Sequence, residues 1–235
     1  MEKLVSILFP VYNEAERLRE NVRHVHDFLL GSRHRYEFFV VDDGSTDSTP
    51  EIASRLKQEL GINYIRYEKG CTRRENLARS FKETNGDIIV FMDIDLAADI
   101  SYLPALVEAA ERHGIATGSR YAKGAATERR LSRLLFSLAY NIFLRLYFGS
   151  SVRDHQCGFK AFKREIILEL VKDAGYDRSL RRGWFWDAEI LIRAQRKGYR
   201  IKEIPVRWNE MMKSSFRFGR ELGMIPYILR LKSVL

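Results

Sequence analysis

Apolar runs of strand length alternate, through the first half of this chain, with longer stretches whose apolar residues recur at every third or fourth position. The runs are "LVSILF" (4–9), "YEFFVV" (36–41), "INYIRY" (62–67), "DIIVFM" (87–92) and "IATG" (115–118). Strands that are apolar along their whole length need cover on both faces, and parallel neighbours need a crossover of a dozen or more residues, most often a helix. The alternation therefore predicts an α/β fold, a mostly parallel sheet with flanking helices. With 235 residues, 46% of them hydrophobic, the chain has enough apolar surface for one large domain.

The first helix follows Asn13, expected to cap it, and carries Leu18, Val22, Val25 and Leu29 at helical spacing. Another starts near "STPE", where Pro50 suits a first turn because its missing N–H has no partner there. From about residue 125 the alternation stops. A long amphipathic helix (131–148) is followed by a loop, the short run "CGFKAF" (157–162) and a helix from Lys163 to Lys172. Next come a helix from about Asp187 to Lys197, a strand "YRIKEIPVRW" (199–208) and a last amphipathic segment.

The sequence has 40 Lys plus Arg against 31 Asp plus Glu, a net charge of +9, which favours anionic partners such as nucleotides, phospholipid headgroups or nucleic acid. Cys71 and Cys157 form no CxxC pair and are too few to staple the chain, so a reducing compartment is expected and a structural zinc is not. The start, "MEKLVSILFPVYNE", meets Pro10 and charges at once and reads as a first strand, so no export is expected. The segment 131–149 carries Arg133 and Arg145 and falls short of the roughly 20 uninterrupted apolar residues that span a bilayer, although it can lie on one.

Open parallel sheets gather ligands at the carboxyl ends of their strands. This chain puts acids there: Asp42 and Asp43 end "FFVVDD", and Asp93 and Asp95 end "IIVFMDID", with Asp99 close behind. Alternation along a strand would send Asp93 and Asp95 to one side, where two carboxylates converge on a hard cation such as Mg²⁺ or Mn²⁺ that keeps waters and bridges to substrate phosphates. Asp-x-Asp alone is also met in solvated acidic loops. The second acidic strand end and "PVYNE" after the first strand give it the context of a nucleotide-and-metal site.

"FPVYNEAERL", "VVDDGSTDST", "NGDIIVFMDIDL", "TGSRY" and "DHQCGFKAF", in this order and spacing, resemble the family 2 glycosyltransferases of GT-A fold, a Rossmann-like architecture. Among them the chain is most similar to the polyprenol (dolichyl) phosphate hexose synthases, over roughly residues 3–215. The resemblance implies one GT-A domain over 1–235, with a nucleotide-sugar half (1–120), an acceptor half (121–214) and an amphipathic C-terminal segment (215–235). It implies that Pro10, Tyr12, Glu14, Val41 and Asp43 hold the nucleotide's base and ribose, and that Asp93, Ile94 and Asp95 form the metal and diphosphate motif. Arg120 matches a substrate-phosphate contact, and Arg207 with Lys213 a basic pair on a loop that closes over the diphosphate. "DHQCGFK" and "WFWDAEIL" look closer to the glucose-transferring members, the short architecture to the mannose-transferring ones. The chain departs from the pattern in "KGCTRRENL", which sets Arg73 and Arg74 where relatives often have a glycine-rich turn, and at Ala97, which stands where mannose-type enzymes often have a glutamine.

The implied reaction moves a hexose from GDP-mannose or UDP-glucose to polyprenyl (dolichyl) phosphate, with inversion. Breaking the sugar–diphosphate bond leaves negative charge on the nucleotide, which the cation together with Arg120, Arg207 and Lys213 would take up. A phosphate acceptor is mostly a dianion at neutral pH and requires no strong base, whereas an alcohol acceptor needs a carboxylate, for which Asp187 and Glu189 are the candidates. As first-turn acids they equally suit the helix that follows. The 131–148 helix and the C-terminal segment, each mixing apolar residues with Arg or Lys, suit peripheral contact with the inner face of a membrane from the cytoplasm, and equally two core-facing helices. His155 reads as a loop histidine and Cys157 as a small buried residue. A transferase to a sugar or protein hydroxyl keeps the chemistry and changes the acceptor. A basic nucleic-acid-binding module would explain the charge and Trp184 and Trp186, but acids at the strand ends repel a polyanion, so no nucleic acid is expected. A nucleotidyltransferase lacks a phosphate-cradling glycine motif.

Overall fold

A computed structural model describes residues 2–72, 74–128, 131–176, 180, 182–209 and 223–235. All five apolar runs form strands: β1 (Leu4–Val11), β2 (Arg35–Asp42), β3 (Asn63–Arg66), β4 (Ile88–Met92) and β5 (Gly114–Ser119). Between them lie α1 (Ala15–Leu29), α2 (Thr49–Leu60), the short α3 (Glu75–Ser80) and α4 (Leu103–His113). Pro50 sits in the first turn of α2 as expected, and Gly61 closes that helix with a left-handed backbone. Asn13 does not cap α1: Glu14 holds the cap position, while Asn13, with φ of 56°, accepts from the Thr46 N–H at 2.8 Å and ties the β1 loop to the β2 loop.

The second half adds β6 (Ala126–Glu128), α5 (Leu131–Phe148), β7 (Phe159–Lys163), α6 (Arg164–Ala174), α7 (Phe185–Arg196), β8 (Arg200–Pro205), β9 (Arg207–Asn209) and α8 (Ile225–Val234). Among the described residues one sheet runs β3-β2-β1-β4-β7-β5-β8, antiparallel at β7 and parallel elsewhere. The expected strand 199–208 divides, because Pro205 has no N–H to extend the ladder; the chain then pairs Arg207–Asn209 with β6 in a second, two-stranded sheet.

Both faces of the large sheet are covered, which is why its strands read as unbroken apolar runs. Along β4, Ile88, Val90 and Met92 join the core under α1, α2 and α4, while Ile89 and Phe91 join the opposite core with residues of α6 and α7. A third cluster joins α5, α7 and α8 through Leu144, Phe148, Phe185, Tyr227 and Ile228. Another face of α5 is exposed: Leu135, Leu138, Ile142 and Leu146 recur at helical spacing along it. Among the described residues no helix is long and apolar enough to cross a membrane.

Candidate functional site

Strand direction decides where the site sits. The carboxyl ends of β1, β2, β4 and β5 and the amino end of antiparallel β7 meet on one edge of the sheet. From β1 the chain steps outward to β2 and β3, then returns to β4 on the other flank, so the loops after β1 and β4 diverge and leave a crevice. "PVYNE", "DDGS", "DID", "SRY" and "CG" all lie on that edge.

Strand alternation is not what aims Asp93 and Asp95. β4 ends at Met92, and the two acids stand on a turn closed by the Leu96 N–H donating to the Asp93 carbonyl at 3.2 Å, with Leu96 at φ of 50°. The turn is anchored on two sides. Asp93 N–H donates to the Gly158 carbonyl at 2.9 Å, and the carbonyl of buried Ile94 accepts from Asn21 Nδ2 of α1 at 2.7 Å. Gly158 is required there, since a Cβ would lie 1.8 Å from Asp93 Oδ2.

Asp93 Oδ1 accepts from Arg74 Nη2 at 2.9 Å; among the described residues its Oδ2 has no hydrogen bond, and the side chain is 38% exposed. Asp95 is exposed and accepts from the Ala97 N–H at 3.2 Å through Oδ1. Among the described residues no three His, Cys, Asp or Glu cluster together. Two hard carboxylates open to the crevice fit an oxygen-seeking divalent cation that keeps waters and shares its shell with ligand phosphates, and do not fit an all-protein cage. Burial pushes the Glu14 carboxyl up, Arg17 pulls it down, and the charges of Asp95 and Asp93 raise it again, leaving it above its ordinary value. Glu14 thus stands within the field of the two acids.

The nucleotide-type residues divide between surface and interior. Tyr12 is exposed, Pro10 half-buried and Val41 buried. Asp43 is buried, and its carboxylate accepts from Thr72 N at 2.7 Å, Thr72 Oγ1 at 2.8 Å and Asn76 Nδ2 at 2.6 Å, so it organises the loop after β3. Asp42, fully buried, accepts from the Ser45 N–H and the Tyr64 hydroxyl.

Arg120 lies on this edge with its fork engaged. Asp154 accepts from its Nε and Nη2, each at 2.7 Å, and from its N–H at 3.0 Å, and Trp208 stacks 5.0 Å from the guanidinium. In this arrangement Arg120 supports the turn after β5, and a substrate phosphate would compete with Asp154 for it. Arg207 is largely exposed, 4.0 Å from Asp99, which itself caps a short turn by accepting from the Ser101 N–H. Backbone pairing of 97–99 with 207–209 brings that basic strand beside the acid turn. Lys213 lies outside the described residues, as do Arg73, Arg129 and Arg130.

His155 is buried between Ser150 and Asn141 and pushed down to about 4 by burial, a neutral loop histidine. Cys157 is buried and pushed up to about 12 by burial, with the Asp154 charge adding to the rise.

The largest addition to the sequence picture lies behind the acid turn. Asp187, on α7, is 3% exposed; its Oδ2 accepts from Arg74 Nε at 2.9 Å and its Oδ1 from Lys160 Nζ at 3.0 Å. Burial alone would raise this carboxyl, but Arg74 and then Lys160 outweigh it and hold the group below its ordinary value. Lys160 is fully buried and also donates to the Cys157 carbonyl. Glu189 faces away, buried against Arg182, Arg193 and the Tyr227 hydroxyl of α8. Sequence reasoning missed Arg74 and Lys160 as site residues, although "TRRENL" had marked Arg74 as out of place.

Residues 6–171 match the family model described as Glycosyl transferase family 2. Among curated proteins the chain is similar to Glycosyltransferase AglD of Haloferax volcanii, 40% identical over 96% of this chain and 36% of the relative. It is 29% identical to the dolichyl-phosphate beta-glucosyltransferase of Saccharomyces cerevisiae, over 89% of this chain and 68% of that one. With the dolichol-phosphate mannosyltransferase of Pyrococcus furiosus it shares 35% identity over 69% of this chain and 47% of that one. The chain thus spans about a third of the length of the first relative and about half of the third. Among solved structures, glucosyl-3-phosphoglycerate synthase of Mycobacterium tuberculosis with Mn²⁺, UDP and glucosyl-3-phosphoglycerate superposes with a TM-score of 0.66 at 22% identity, over 99% of this chain and 79% of that one. The same fold appears for that synthase with Mg²⁺ and UDP, at a TM-score of 0.65.

Proposed function

The chain belongs to glycosyl transferase family 2, and from that premise we propose that it moves a hexose, with inversion, from UDP-glucose or GDP-mannose to polyprenyl (dolichyl) phosphate at the inner face of a membrane. Two of the relatives above carry dolichyl or dolichol phosphate in their names, which supports this acceptor. On this reading Pro10, Tyr12, Glu14, Val41 and Asp43 form the nucleotide pocket, and Asp93 and Asp95, on the turn that Ile94 anchors, hold Mg²⁺ or Mn²⁺. When bound, the ion takes up the negative charge of the departing nucleoside diphosphate. Arg207 and, as the family resemblance implies, Lys213 add positive charge for the diphosphate, and Arg120 fixes the turn after β5.

One observation carries the choice of acceptor: Asp187, the carboxylate that shares Arg74 with the acid turn, is buried with both oxygens on cations. A group so held is a poor proton acceptor, because protonation would cost it two charge-assisted bonds. The nucleophile must then arrive already charged, as a phosphate does with a second pKa near 6. Transfer to polyprenyl phosphate by Asp187→Asn is therefore expected to stay within about tenfold of wild type, assayed well below a melting temperature that falls because Arg74 and Lys160 lose their shared counter-charge. Free UDP or GDP is the readout. A loss of a thousandfold in folded Asp187→Asn, or transfer by the wild type to sugar hydroxyls and not to polyprenyl phosphate, would overturn the acceptor assignment.

The exposed face of α5 supplies the surface for a lipid acceptor. Leu135, Leu138, Ile142 and Leu146 form an apolar stripe with exposed Arg145 at its side, and Leu229 of α8 is also exposed. Leu135→Glu with Leu146→Glu is expected to abolish co-sedimentation with anionic vesicles while shifting stability by no more than about 0.5 kcal/mol per site, as for ordinary surface changes. Unchanged sedimentation would remove α5 from the membrane contact.

A further inference from the structure

We propose that Arg74 is a positioning residue that weakens divalent-cation uptake by the Asp93–Asp95 turn and, in exchange, sustains part of the nucleoside-diphosphate binding without a metal. This rests on the function proposed above.

The side chain of Arg74 is 4% exposed and fixed on four sides. Its Nη2 donates to Asp93 Oδ1 and its Nε to Asp187 Oδ2, both at 2.9 Å, and its guanidinium lies 5.4 Å from the Phe91 ring centre and 5.5 Å from that of Trp184. Guanidinium does not lose its proton under any ordinary condition, so this positive charge is permanent. Burial opposes it, but Asp187 and then Asp93 outweigh burial and hold it charged.

Two consequences of opposite sign follow. One of the two Asp93 oxygens is taken, which leaves Oδ2 for a cation and places that cation next to an existing positive charge, so metal affinity falls. The same charge adds to the field that a diphosphate meets when it approaches the turn, so anion affinity rises even with no metal present. Asp187 makes the arrangement possible. Together Asp93, Asp187, Arg74 and Lys160 carry two negative and two positive charges, so no charge in the cluster is left without an opposite partner.

Arg74→Gln separates the two effects. Lys160 stays with Asp187, so the variant leaves no buried charge alone and is expected to fold. Calorimetry with Mn²⁺ alone should show binding about tenfold tighter than wild type, while UDP or GDP binding in EDTA should weaken about tenfold. Arg74→Lys keeps the charge without the fork and should hold Mn²⁺ affinity near wild type while recovering part of the metal-free nucleotide binding. A residue with a merely structural role would weaken both ligands together. Weakened Mn²⁺ binding in folded Arg74→Gln, no change in either ligand, or Arg74→Lys matching Arg74→Gln in both would overturn the proposal. If the wild type binds neither UDP nor GDP the proposed function falls instead, and the Mn²⁺ measurements still decide how Arg74 acts on the turn.

Discussion

Asp93→Asn is expected to lower hexose transfer by about a thousandfold at saturating Mn²⁺, and Asp95→Asn by about a hundredfold, on the scale of removing a group that meets charge developed in the transition state. The larger loss falls on Asp93 because the structure commits more to it. Its N–H is held by Gly158 and its Oδ1 by Arg74, while its Oδ2, against Gly158, has no hydrogen bond among the described residues, whereas Asp95 is exposed and accepts from the Ala97 N–H. Stability should change little. The Asp93 side chain is 38% exposed, so its ion pair with Arg74 is worth no more than about 1 kcal/mol after solvent screening, and Arg74 keeps Asp187. Gly158→Ala is the geometric counterpart: it alters no charge, yet its Cβ would sit 1.8 Å from Asp93 Oδ2, so the turn must shift. A comparable loss of turnover in Gly158→Ala, read as UDP or GDP release across a Mn²⁺ titration, is expected if placement of Oδ2 matters as much as its charge. Retention of more than a tenth of the activity by Asp93→Asn would remove the acid turn from the chemistry.

What could be read from the residues alone was whatever depends on neighbours in sequence. β1, β2 and β4 were legible because fully covered parallel strands are apolar throughout, and their ends because acids interrupt the run abruptly at Asp42 and Asp93. The conformation of the acid turn was not legible: a two-residue alternation rule assumes the strand continues, and Leu96 at φ of 50° shows that it does not. Arg74 and Asp187 are 113 residues apart, and nothing local in "TRRENL" or "WFWDAEIL" announces the partner. In "DHQCGFK" attention falls on the histidine, yet His155 serves the loop while Asp154 beside it holds Arg120. A lysine inside a short strand looks like an edge residue, and Lys160 is instead fully buried on a carboxylate supplied by α7. In each case the charge was visible and its counter-charge was not, because ion pairing in the interior is settled by tertiary packing.

The second large effect is on stability. Asp154→Asn is expected to destabilise the protein by about 3–5 kcal/mol at neutral pH, because it leaves the Arg120 guanidinium buried, 7% exposed, without its counter-charge. Equilibrium urea unfolding measures this. The pH dependence has a definite sign. Burial raises the Asp154 carboxyl, but Arg120 outweighs burial and sets it below its ordinary value of 3.8. A carboxylate depressed on folding contributes stability that is fully present above its unfolded pKa and is lost as pH falls through the folded one. The gap between wild type and Asp154→Asn should therefore be constant from neutral pH to about 5 and close progressively below about 4. A gap that widens in acid would contradict the pairing. Removing both charges in Arg120→Met with Asp154→Leu tests why the pair is there. If the double variant recovers most of the stability, the ion pair is close to neutral energetically and its role is geometric, fixing the turn after β5 against Trp208 at the edge of the crevice. Transfer should then remain low in the double variant although the fold is restored, which separates what holds this protein together from what shapes its site.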